Sequence, residues 1–287
     1  MSVDGGLLES WAIVRGQPVF YRHREPNPDA HVIVHVHGFA GSGRYMMPTA
    51  ALLSDTYRTF VPDLPGFGQS VDPDHTLTVP ELADSAAAFL DVMGIETASM
   101  VGNSLGCAIV ADFAHRHPHR LDSAILTSPA GGENNQPLLR AVSQILEDAP
   151  REPLSVAKVA VPDYVRFGLV PAYRLFSAMS KFPAAERLLE LEVPTLIVLG
   201  SRDPLLPSPE RIRQMANDMH ADARVVVIRG AAHAINHSHP RELAALIDQF
   251  LTDRPLVGAT GPLTAAPVAE LRTRRGAGPS PAAEVPE

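Results

Sequence analysis

Within Val101-Gly102-Asn103-Ser104-Leu105-Gly106 the pattern passes from strand to helix with no room for a loop. Ala98, Met100 and Val101 read as the end of an apolar strand. Cys107 to Ala114 read as a buried helix, which His115-Arg116-His117-Pro118 ends. Such a chain must turn on one residue, Ser104, in strained backbone geometry that lifts its side chain clear of both elements. Gly102 and Gly106 make the turn possible, because a Cβ at either position would collide across it. The helix behind Ser104 points its free N–H groups and positive dipole end toward that side chain. The same residues also fit a plain glycine-rich turn with a solvated serine, so the reading depends on the rest of the chain.

A junction of this kind needs neighbouring strands, and the sequence supplies them. Residues 11–15 and 18–23 flank Gly16-Gln17 and read as a hairpin. His31 to Val36 is a β-branched apolar run of the type buried on both faces. It empties into His37-Gly38-Phe39-Ala40-Gly41-Ser42-Gly43, ahead of a short helix near 44–54. The strand at 57–61 ends in Pro62-Asp63-Leu64-Pro65-Gly66-Phe67-Gly68-Gln69-Ser70. Pro80 and Glu81 open a helix to about Met93, and Gly94 closes it. Further strands fall at 121–127, 193–199 and 224–229, with helices near 208–220 and from Pro240 to about Leu251. This alternation predicts an α/β fold, a mostly parallel sheet with helices on both faces, built from residues 1–131 and 191–252.

Residues 132–190 break the pattern. Helical periodicity there is interrupted by Pro137, Pro150, Pro153, Pro162, Pro171 and Pro183, without a clear strand. The segment is expected to form a helical cap above the carboxyl ends of the strands, where such sheets bind ligands. Residues 253–287, rich in Pro, Ala, Gly and Thr, carry Arg272, Arg274 and Arg275 without periodicity and read as a disordered tail.

Composition narrows the classes. The 287 residues, 45% apolar, are enough for one large core or a core plus a small insertion. A net charge of −8 leaves no basic stripe for nucleic acid. The first six residues have neither a positive n-region nor an apolar h-region, and no apolar run is long enough to span a membrane. A single cysteine, Cys107, excludes an intramolecular disulfide, fits a reducing cytoplasm, and reads as a small buried hydrophobe.

A serine hydroxyl is a poor nucleophile at neutral pH. It needs a base within reach, an acid to orient the base, and two fixed donors for the oxyanion. Gly200-Ser201-Arg202-Asp203-Pro204 places Asp203 in the turn after one strand, and Gly230-Ala231-Ala232-His233 places His233 in the turn after the next. His237 and His239 fall beyond that turn. With His233 they spell His-x-x-x-His-x-His, but no carboxylate or cysteine cluster accompanies them, so no metal is expected. The turn after 121–127 offers Ser128 and Pro129 but no carboxylate before Glu133. His35 and His37 read as structural, with His37 placed to orient the oxyanion donors. Met46, Met47, Phe167, Tyr173, Phe176, Met179 and Phe182 supply apolar surface for a pocket, with no individual contact assigned.

The order Ser104, Asp203, His233 together with His37-Gly38-Phe39 and Asp63 to Ser70 resembles the α/β-hydrolase fold enzymes, specifically capped serine hydrolases, over residues 10–252. The resemblance implies Ser104 as nucleophile, His233 as base and Asp203 as the orienting acid. It implies the backbone N–H groups of Phe39 and Leu105 as the oxyanion hole, and a mainly architectural Asp63. No cofactor is implied. A serine, in place of the carboxylate of dehalogenases and epoxide hydrolases, implies an acyl-enzyme. The expected substrate is therefore a small or medium carboxylic ester, thioester or lactone with an apolar acyl group.

Three alternatives stay open. Gly102-Asn103-Ser104-Leu105-Gly106 is similar to the elbow of meta-cleavage-product hydrolases, commonly Gly-Asn-Ser-Met-Gly-Gly, which split a carbon–carbon bond. Cys107 in place of the second glycine, and His37-Gly38-Phe39-Ala40 in place of a glycine-rich oxyanion loop, depart from them. A cofactor-free perhydrolase or haloperoxidase-like activity uses the same three residues. A ligand-binding paralogue is the non-enzymatic alternative, although such proteins usually lose one of the three.

Overall fold

The computed structural model describes residues 3–4, 6–129, 138–206, 214–215, 218–219, 222–256 and 268–272. Its strands are β1 (Val3–Asp4), β2 (Leu7–Val14), β3 (Gln17–Arg24), β4 (Val32–Val36) and β5 (Arg58–Pro62). They continue as β6 (Ala98–Asn103), β7 (Leu121–Thr127), β8 (Thr195–Gly200), β9 (Ala223–Ile228) and β10 (Val268–Arg272). Among the described residues they form one ten-stranded sheet in the order β1-β2-β3-β5-β4-β6-β7-β8-β9-β10. From β5 to β9 neighbouring strands are parallel, and the two edges are antiparallel.

The helices are α1 (Met47–Leu53), α2 (Val79–Val92), α3 (Leu105–Arg116), α4 (Leu138–Asp148), α5 (Leu154–Phe167), α6 (Leu169–Met179), α7 (Ala184–Leu189), α8 (Ile235–Ser238) and α9 (Pro240–Leu251). Helices α2, α3 and α7 pack together on one face of the sheet, and α1, α8 and α9 on the other. Strand β4 shows why its sequence lacks alternation. Val32, Val34 and Val36 enter the core under α2 and α3, while Ile33 enters the core under α1 and α9. Fully burying one such side chain is worth roughly 1.5–3 kcal/mol, so this pattern fixes the strand at the centre. Helix α2 starts as its sequence demands. Thr78 and Glu81 form a capping box, with the Thr78 N–H donating to Glu81 Oε2 at 2.8 Å.

Between β7 and β8 the described residues form only helices and a 3-10 turn at Ala149–Arg151. The prolines mark helix starts. Pro153 and Pro183 are N-caps of α5 and α7, and Pro171 lies in the first turn of α6; Pro162 alone falls inside a helix. Helix α7 leaves the company of α4–α6. Leu188 is buried in the α2–α3 core, and Arg187 Nε pairs with Asp112 Oδ1 of α3 at 3.3 Å. The last part of the expected cap therefore lies in the layer against the sheet.

The predicted helix near 208–220 and residues 132–137 of the expected cap fall largely or wholly outside the described residues. Where the sequence reads a disordered tail, Val268–Arg272 adds an antiparallel edge strand to β9. No helix among the described residues is long and apolar enough to cross a membrane.

Candidate active site

Ser104 stands between β6 and α3 with φ +55° and ψ −116°, and its N–H donates to Thr127 O at 3.1 Å. A residue held this far from an ordinary basin costs about 1–3 kcal/mol, so its surroundings must impose it. They do. A Cβ on Gly102 would lie 2.6 Å from the carbonyl carbon of Gly106, and one on Gly106 would strike Val36 O. Leu105 opens α3, so its N–H has no acceptor within the helix. Cys107 is buried, and its Sγ–H points at Gly102 O and Thr127 O, each at 3.3 Å. Burial pushes its thiol up, in keeping with an inert packing residue.

Asp203 and His233 hang from the ends of adjacent strands β8 and β9, and His233 Nδ1–H donates to Asp203 Oδ2 at 2.8 Å. The other Asp203 oxygen accepts the Leu205 N–H at 2.8 Å. Burial works to raise the Asp203 carboxyl, but the facing imidazole's charge and hydrogen bond outweigh it and hold the carboxyl below its usual range. Burial works to lower His233. The Asp203 charge and hydrogen bond, with Asp148 and Glu152, outweigh this and hold the imidazole above its usual value. His237 and His239 stay apart from this pair; His239 Nδ1 meets Ser238 Oγ at 3.0 Å. Asn103 ties the elbow to the His233 loop, its Nδ2 donating to Thr127 O at 3.2 Å and His233 O at 3.4 Å. The hydroxyl of Ser104 makes no hydrogen bond among the described residues, and it faces the same cavity as His233.

The loop after β4 lies directly against the elbow. A Cβ on Gly38 would come within 3.3 Å of Ser104 Cβ, so Phe39 follows at close range. His37 is buried and locks this loop. Its Nε2 accepts the Leu64 N–H at 3.0 Å, and its Nδ1–H donates to Gly38 O at 3.0 Å, which fixes a neutral tautomer. Burial lowers its affinity for a second proton. Asp63 holds the same region: its oxygens accept from the N–H groups of Gly43 (2.7 Å) and Gln69 (2.8 Å) and from Arg22 Nη1 (3.1 Å). It lies outside the cavity lining.

A cavity of about 460 Å³ joins these parts. Gly38, Phe39, Asn103, Ser104 and His233 form its floor, and Ile145, Val156, Leu169, Tyr173, Phe176, Met179 and Phe182 give it apolar walls. Met46 and Met47 are instead buried under α1, and the Phe167 ring stacks on Phe67 at 4.6 Å. Two carboxylates from the helical segment, Asp148 and Glu152, also line it, beside His233. Burial, with the nearby negative charges, raises the Asp148 carboxyl and brings that of Glu152 to about 7. No lysine or arginine lines it among the described residues, nor do these hold a set of three or more His, Cys, Asp or Glu grouped as metal ligands. The sequence gives no sign of Asp148 and Glu152, because their partners are backbone N–H groups more than eighty positions away.

A family model described as the alpha/beta hydrolase fold matches residues 31–158, the stretch that holds the His37 loop and the elbow. The chain has the α/β-hydrolase fold. Over 276 residues it is 24% identical to 2-hydroxy-6-oxononadienedioate/2-hydroxy-6-oxononatrienedioate hydrolase of Comamonas testosteroni, covering 83% of this chain and 94% of the relative. Over 246 residues it is 24% identical to the pimeloyl-[acyl-carrier protein] methyl ester esterase of Aeromonas hydrophila, covering 76% and 94%. A match at 34% identity covers 45% of the chain but spans only 34% of its relative, the dihydrolipoyllysine-residue acetyltransferase component of acetoin cleaving system of Cupriavidus necator. Among solved structures, a membrane phospholipase A superposes with a TM-score of 0.73 at 22% identity over 87% of each chain, a likeness of fold. The chain thus has hydrolases among its full-length relatives, and its fold and relatives support a hydrolytic function.

Proposed function

We propose that this protein of α/β-hydrolase fold is a serine hydrolase that cleaves a neutral, apolar carboxylic ester, or a thioester or lactone of similar size, through an acyl-enzyme. The observation that carries the reading is the Asp203–His233 hydrogen bond of 2.8 Å beside a strained serine that opens on the same cavity. Ser104 Oγ attacks the carbonyl carbon while His233 Nε2 takes its proton, and Asp203 holds the imidazole with Nε2 toward the serine. The oxyanion is held by the N–H groups of Phe39 and Leu105; losing one such donor costs about 3–4 kcal/mol of transition-state stabilisation. The tetrahedral adduct collapses, the leaving alcohol takes the proton from His233, and the acyl group stays on Ser104. Water then gives a proton to His233 and attacks the acyl carbon, releasing the acid and restoring the hydroxyl.

The apolar walls suit an acyl chain, and Asp148 and Glu152, without a lysine or arginine in the lining among the described residues, disfavour an anionic one. This weighs against the second reading, carbon–carbon bond hydrolysis. That reading is favoured by the elbow residues and by the Comamonas relative, whose name describes a doubly anionic substrate. The experiment is stopped-flow hydrolysis of p-nitrophenyl esters from acetate to laurate. A burst of p-nitrophenol in wild type that vanishes in Ser104→Ala supports the reading, and the preferred chain length sizes the pocket. Absence of turnover on every ester, with turnover of a vinylogous diketone, sinks it in favour of the second.

A further inference from the structure

One short stretch of the helical segment, residues 144–152, reaches both loops that carry the proposed acid and base. Toward the acid loop it donates: Gln144 Nε2 to Pro204 O at 2.8 Å, and Arg151 Nη1 to Arg202 O at 3.1 Å. The carbonyls on either side of Asp203 are thereby held. Toward the base loop it accepts: Asp148 Oδ1 from the His233 N–H at 3.3 Å, and Glu152 Oε1 from the Ala234 N–H at 2.5 Å. Neither loop is helix or strand at these residues; the Arg202 N–H donates to Ala231 O at 2.9 Å between them, and the tethers from 144–152 add a second, outer hold on each. The loop after β4 is tied to the same segment, since Ser42 Oγ–H donates to Asp163 Oδ2 of α5 at 2.6 Å.

We propose that residues 144–152 are a clamp that holds the Asp203 and His233 loops in register, so that the acid–base pair is assembled only while the helical segment is seated. Asp148 and Glu152 are its positioning residues: they grip the backbone of the base loop and act through His233. The inference rests on Asp203 and His233 being acid and base. It follows from two irregular loops sharing one short stretch of chain. A shift of about 1 Å between such groups can cost a hundredfold in rate, which four tethers from one short stretch of chain, the end of α4 and the turn after it, oppose. Glu152 faces Asp148, Asp203, His233 and Tyr45, so its charge also acts on the imidazole. A clamp and a charge effect are separated by Glu152→Gln, which keeps the carbonyl acceptor for Ala234 N–H and removes the charge.

The test uses the full chain and two readouts, the pre-steady-state acylation rate with a p-nitrophenyl ester and the downfield proton resonance of His233 Nδ1–H. In Glu152→Ala, and more so with Asp148→Ala added, acylation falls roughly 10- to 100-fold with KM little changed, and the resonance broadens. Glu152→Gln restores most of both. Equal loss in the Gln and Ala variants, with the resonance intact and the acid limb of the pH profile moved down, overturns the clamp in favour of a charge effect. No change in either readout overturns it too. Should the alanine variants fail to fold, Gln144→Ala tests the acid-loop tether by the same two readouts. If wild type turns over no ester, the hydrolase reading fails on that ground while the resonance still reports the clamp. A wild type without the resonance overturns the acid–base pairing itself.

Discussion

His35 and His37 lie two residues apart, both fully buried, and differ only in their partners. His37 exchanges hydrogen bonds with Leu64 N–H and Gly38 O, whereas both ring nitrogens of His35 lack a partner among the described residues. Burial therefore lowers His35 to about 3. The unfolded chain takes up a proton near 6.5 that the folded chain refuses. The stability His35 confers is thus complete above that value and falls as pH drops toward 3, by roughly 1.4 kcal/mol per pH unit. In His35→Leu this component disappears. Urea unfolding at about pH 7 and about pH 5 should show the wild type losing more stability than the variant, by ~2 kcal/mol. An equal loss in both would mean that His35 binds its proton in the folded state. Sequence identifies both histidines as structural and goes no further, because the Leu64 N–H that distinguishes them lies 27 positions away. Asp148 and Glu152 escape sequence reading for the same reason at 85 and 82 positions.

At the scale of elements, what sequence reveals is local steric demand. The elbow is legible because Gly102 and Gly106 are required within the same turn that strains Ser104, and α2 because its capping box spans only Thr78 to Glu81. Helix α7 is not legible as part of the sheet layer, since its place depends on Leu188 and Arg187 meeting α3. Gly200 is an intermediate case. It ends β8 three residues before Asp203, and a Cβ there would strike Ala232 O and lie 2.6 Å from Ala231 O, both just before His233. Backbone atoms cannot rotate aside, so Gly200→Ala must push the Asp203 and His233 loops apart. It should cost about 1–3 kcal/mol of stability, read by thermal unfolding. Its burst rate on a p-nitrophenyl ester should fall roughly a hundredfold. A stable variant with an unchanged burst would mean that the two loops move together and that their spacing is set elsewhere.

For the whole molecule, alternating strands and helices made the sheet and its order of motifs readable, while the cavity belongs to the three-dimensional meeting of α4–α6 with four loops. Charge links the two scales. The chain carries a net charge of −8, and its cavity adds Asp148 and Glu152 with no lining lysine or arginine among the described residues. An incoming anion therefore meets a repulsive field at long range and two carboxyls at short range. The two parts separate with salt, because the Debye length shrinks from about 10 Å at 0.1 M to about 3 Å at 1 M. Comparing p-nitrophenyl butyrate with the mono-p-nitrophenyl ester of succinic acid changes charge at nearly constant length. The neutral ester should be favoured in kcat/KM by at least about tenfold, equivalent to ~1.4 kcal/mol. Salt should narrow this ratio without abolishing it, since the pocket carboxyls act within the screening length. A preference for the anionic ester would reverse the argument. It would require a cation at the pocket wall and would turn the choice between the two proposed reactions toward carbon–carbon cleavage of a dienoate.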